Sequence, residues 1–102
     1  TPAELYKAQA LLHEEELVWL IEQQTGKPLS PKVRDMVRYY YQGLSIQEVA
    51  KEMGTKFDHV RYRFRTIVKD TEFKTMRALM DAYRSGELRR AAGDDDAADE
   101  KA

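Results

Sequence analysis

Apolar residues recur along most of this chain at separations of three and four, the period of an α-helix. Gly, Pro, Ser and Thr punctuate the pattern, which predicts five helices. The first runs from Pro2 to about Gln24. Thr1, Pro2 and Glu4 supply its N-cap, first-turn proline and capping-box carboxylate, and Gly26 with Pro28 stops it. Leu5, Ala8, Leu12 and Trp19 lie along one stripe, with Leu11, Val18 and Ile21 beside it. From Leu17 to Ile21 the helix is apolar on every side, so alone it would expose an apolar patch. It either completes the core of a five-helix monomer or covers itself against another surface. The width of the apolar wrap favours dimerisation.

Leu29-Ser30-Pro31 starts the second helix, with Ser30 as N-cap. Val33, Met36, Val37 and Tyr40 face its core side, and Gly43 closes it. Tyr39, Tyr40 and Tyr41 are consecutive and point in different directions, so they form no stacking platform. One or two belong to the core, and one reaches toward a phosphate. Ser45 and Glu48 make a capping box for the third helix, Ile46 to Met53, whose inner face is Val49, Ala50 and Met53. Gly54-Thr55 is a tight turn, and the fourth helix runs from about Phe57 to Lys69. Asp70-Thr71-Glu72 offers the start of a fifth. It carries Phe73, Met76, Met80 and Tyr83 at helical spacing, with Leu79 beside them, and ends near Ser85-Gly86. This helix is either the last of the core or a seam for a partner, and periodicity does not separate the two. From Glu87 on the periodicity is lost, and the Asp-rich end is expected to be disordered.

The fold class expected is all-α. One long amphipathic helix (1–26) precedes a helix-turn-helix bundle of four short helices (27–86), and an acidic tail (87–102) follows.

The fourth helix divides sharply. Phe57, Val60, Phe64 and Ile67 share one stripe, which must be buried. The other side carries Asp58, Arg61, Tyr62, Arg65 and Lys69, with His59 and Arg63 on a flank. A helix apolar on one face and rich in guanidinium on the other suits a polyanion, because Arg forks onto guanine or onto a phosphate. Net charge is only −1, but it is unevenly spread. Residues 1–24 carry −4, residues 25–93 carry +7 and residues 94–102 carry −4. A basic middle between acidic ends fits a DNA contact made by the middle.

Other chemistries find little support. There is no cysteine, hence no disulfide framework and no thiolate metal site. His13-Glu14-Glu15-Glu16 lacks the second His of a zincin, since Leu17 stands there. The two histidines lie on different helices, and no phosphate loop or nucleophile set is present, so neither enzyme activity nor a cofactor is expected. No apolar run reaches spanning length, and a cytoplasmic location without membrane contact is the expected default.

From Leu29 to Ile67 the chain resembles the C-terminal DNA-binding domain of LuxR-type regulators, shared with the stand-alone GerE protein. Leu29-Ser30-Pro31 stands for that family's opening Leu-Thr-Pro, and Gly43-Leu44-Ser45 matches its Gly-Leu-Ser. Glu48, Val49, Ala50 and Met53 follow in register, then Val60, Arg61 and Ile67, with no gap. Val33, Thr55, Lys56, His59 and Arg63 depart from the family pattern. The resemblance implies a four-helix DNA-binding unit whose last helix is Phe73 to Arg84.

The function expected is sequence-specific transcriptional regulation by a homodimer on double-stranded DNA. Lys56, Asp58, His59, Arg61, Tyr62, Arg63, Arg65 and Lys69 are the candidate DNA contacts. Leu5, Leu12, Trp19, Met76, Met80 and Tyr83 are the candidate dimer contacts. The rival reading is an interaction module, an anti-activator or co-regulator. It would keep the helix-turn-helix as scaffold and bind a transcription protein through its first helix.

Overall fold

Each helix begins where a side chain can satisfy its first free N–H groups. The computed structural model describes residues 1–92. It is all-helical, with α1 Pro2–Thr25, α2 Pro31–Tyr41, α3 Ile46–Met53, α4 Phe57–Lys69 and α5 Met76–Arg84, and a short α6 over residues 87–92. Thr1 and Ser45 complete capping boxes with Glu4 and Glu48, and Ser30 accepts from the Val33 N–H. Gly26 ends α1 with φ of 70°, a left-handed turn that suits glycine.

The helices wrap one core. α1 packs on α2, α2 on α3, α3 on α4 and α4 on α5. The C-terminal half of α1 contributes Leu17, Val18, Leu20 and Ile21, and α2 contributes Val33, Met36 and Val37. Val49 and Ala50 of α3 meet Val60, Phe64, Ile67 and Val68 of α4 in the same cluster. Tyr39, Tyr40 and Tyr41 all pack against this core, and the Tyr40 ring lies 5.1 Å from that of Phe64.

Three expectations are corrected. First, Met76, Met80 and Tyr83, expected at a dimer contact, are almost wholly buried in the core of the chain itself. Second, α5 starts at Met76 rather than near Asp70. The Thr71 hydroxyl turns back to the Val68 carbonyl at 2.8 Å, so it closes α4, and Thr75 caps α5 through the Ala78 N–H. Third, residues 87–92 form a helix, and Leu88 is buried to 1% exposure. The rest of the expected acidic tail, 93–102, lies outside the described residues.

α1 has two unlike halves. Its C-terminal half is tied down by carboxylates. Glu14 accepts from Gln42 at 2.8 Å, Glu15 pairs with Arg38, Glu16 pairs with Arg89, and Glu22 accepts the Leu29 N–H at 2.8 Å. The Tyr83 hydroxyl lies 2.9 Å from Glu16 and 3.0 Å from the His13 carbonyl. The Arg89 guanidinium holds the Glu16 carboxyl below the usual glutamate range, and burial pushes the Tyr83 phenol up. The N-terminal half touches none of this. Leu5, Tyr6, Leu11 and Leu12 are exposed there, and in the C-terminal half Trp19 is 54% exposed. Leu5, Leu12 and Trp19 are seven apart, which keeps them within about 40° of one another and opposite Leu17 and Ile21.

Because Leu88 sits fully inside the core, Leu88→Ala should destabilise the fold by about 2–5 kcal/mol in urea unfolding. A loss below about 0.5 kcal/mol, the scale of surface substitutions, would mean that α6 is not docked.

Candidate nucleic-acid interface

The presentation of α4 is set by the turn before it. The Gly54 N–H bonds to the Lys51 carbonyl at 3.2 Å, and the Thr55 N–H to the Ala50 carbonyl at 2.9 Å. This pair of bonds is a Schellman closure, and it requires the left-handed φ of 65° that Gly54 adopts. At the other end of α3 the Ser45 N–H donates to Glu48, which holds that carboxyl below its usual range. Lys56 takes the N-cap position of α4 with no side-chain hydrogen bond, so its ammonium stays outside.

Val60, Phe64, Ile67 and Val68 bury one side of α4. Phe57, expected on the same stripe, is 43% exposed and lines a cleft beside α3 instead. The opposite side is open. Lys56, Asp58, Arg61, Arg63, Arg65 and Lys69 are exposed, Tyr62 is 62% exposed, and His59 is half-buried. Tyr62 and Lys69 point most directly away from the core, with Asp58, Arg65 and Thr66 around them. Arg61 and Arg65 lean toward α5 and line a cleft of about 340 Å³. Arg63 and Thr66 lean the other way, over a cleft of about 250 Å³ bounded by Lys27, Leu29 and Ser30. The candidate contacts therefore spread over the whole outward side of α4, from the α5 edge at Arg61 to the opposite edge at Arg63.

Most basic side chains of the described residues make no ion pair, and those of α4 are among them. The ion pairs between basic side chains and carboxylates join Lys27 to Asp70, Arg34 to Glu22, Arg38 to Glu15 and Asp35, and Arg89 to Glu16. Among the described residues, none of Lys56, Arg61, Arg63, Arg65 and Lys69 is in an ion pair. Cations spread along one exposed helix raise the local potential for a polyanion.

Sequence reasoning missed Lys74 and Arg77, which line the α5 side of the cleft beside Arg61 and Arg65. Both flank Thr75, and only a correct start for α5 would have drawn attention to them. Of the candidate dimer contacts, Leu5, Leu12 and Trp19 are accessible together, on α1. Among the described residues no group of three or more His, Asp or Glu side chains is placed to hold a metal ion. Nor is any described helix long and apolar enough to cross a membrane. No protein-family model matches this chain, and comparison with curated proteins and with solved structures finds no match.

A Cβ at Gly54 would meet nothing within 4 Å, so only its backbone conformation resists substitution. Gly54→Ala is expected to cost about 1 kcal/mol or more in thermal or urea unfolding. No loss would mean that the turn does not need its left-handed residue.

Proposed function

We propose that this protein is a sequence-specific DNA-binding transcriptional regulator. In this reading α3 and α4 act as a LuxR-like helix-turn-helix, and α4 enters the major groove. The observation that carries it is the gathering of Lys56, Arg61, Arg63, Arg65 and Lys69 on the exposed side of α4, opposite its buried stripe. α4 has 13 residues, hence a length of about 20 Å, and the groove admits a helix of this kind. Tyr62, Arg65, Thr66 and Lys69 would approach the bases, while Lys56, Arg61 and Arg63 would meet the strands at either edge. Bidentate Arg contacts read bases, and Lys contacts to phosphate set position.

The test is binding to duplex DNA across a salt series. Random duplex should bind at low salt, with affinity falling steeply as salt rises. On a selected target site, Arg65→Ala should cost about 1–3 kcal/mol and relax sequence preference. Lys56→Ala should weaken all sequences alike and reduce the salt slope by about one. Absence of duplex binding at any salt would end this reading.

The homodimer is part of the same proposal, through the Leu5, Leu12 and Trp19 stripe of α1. A seven-residue repeat facing away from the chain's own core suits a helix-on-helix seam. Light scattering should give about twice the 11.9 kDa chain mass, and Leu12→Glu should give the single-chain mass with unchanged helicity. A monomeric native protein would instead favour the second reading, in which the same stripe docks a protein of the transcription apparatus.

A further inference from the structure

The cleft between α4 and α5 has a composition that the groove contact does not require. Arg61 and Arg65 line it from α4, and Lys74 and Arg77 line it from the start of α5. Its floor is apolar, made by Phe64, Val68 and Met76. No carboxylate lines it, and none of the four cations is in an ion pair among the described residues. Four like charges around about 340 Å³ repel one another, and no carboxylate within the cleft offsets them, although Arg77 also borders the neighbouring cleft of Glu48 and Asp81. An anion of small radius with several acceptor oxygens relieves that repulsion. Guanidinium forks match the oxygens of a phosphate group in particular.

The geometry points to a phosphate-binding site in this cleft, formed by Arg61, Lys74 and Arg77, with Arg65 also on its lining. It rests on the nucleic-acid reading of α4 and extends it. The cleft opens beside the face of α4 that would meet DNA, so one backbone phosphate at the groove edge can seat there. Arg61 then serves the clamp on one side while Tyr62, Arg65, Thr66 and Lys69 remain over the bases. A phosphate in this cleft anchors the packed pair of α4 and α5 to the strand as one body, and so sets how α4 lies in the groove. Free phosphate has the same chemistry, and the two sources give different results in the test.

The test uses the full chain and two probes. Inorganic phosphate is titrated against isotope-labelled protein, following the Arg Nε–H signals. Saturating shifts are expected at Arg61 and Arg77, and the Arg61 shift should be lost in a Lys74→Gln, Arg77→Gln double variant of unchanged thermal stability. Random duplex DNA is then bound across a salt series by both proteins. If a DNA phosphate occupies the cleft, the variant's salt slope is smaller by about one, as expected when a single phosphate is no longer neutralised. Phosphate shifts with equal salt slopes assign the cleft to a free phosphate instead. Shifts that are absent, or that spread evenly over all arginines, overturn the site. Failure of the native protein to bind duplex ends the reading of α4 but not the cleft, which the phosphate titration judges by itself.

Discussion

Val60, Phe64, Ile67 and Val68 occupy one side of α4, and burying them leaves the helix's cations no direction but outward. The rest of the arrangement depends on this. A core stripe of four large residues offers several kcal/mol of transfer free energy, far more than any surface ion pair. The rotation of α4 is therefore fixed by packing, and the charges follow. Tyr40 against Phe64 and Ala50 in the same cluster hold that rotation from α2 and α3. The closure at Gly54 sets where the helix begins.

Charge is partitioned by position rather than by amount. The carboxylates of α1 are engaged by α2 and α6, at Arg34, Arg38 and Arg89. None reaches across the core to α4. An acidic N-terminal helix and a basic fourth helix can thus coexist in a chain of net charge −1 without cancelling each other. The exposed stripe on α1 faces away from the core residues of the same helix, so neither surface competes with the other.

Local signals made much of this legible in the sequence. The caps at Thr1, Ser30 and Ser45 and the stop at Gly26 fixed most helix boundaries, because capping depends on neighbours a few residues away. The division of α4 was legible for the same reason. What escaped depended on a choice between two local bonds or on distant partners. Thr71 and Thr75 look alike as caps, and only the Val68 carbonyl decides that Thr71 turns backward. Phe57 fits the apolar stripe, yet at the first turn of α4 it has no core above it. Leu88 stands alone among polar residues, with no period to reveal it, and is buried by tertiary packing. Periodicity marked Met76, Met80 and Tyr83 as apolar but could not say whether the facing surface belonged to this chain or to another.

In the proposed reading α4 presents its cations to a duplex. The most direct measurement is a map of backbone amide shifts when a short duplex is added to the labelled protein at low salt. Shifts concentrated on the outward positions of Phe57–Lys69, with the α1 stripe unmoved, are the expected result. Shifts confined to Leu5–Trp19, or none at all, would contradict it.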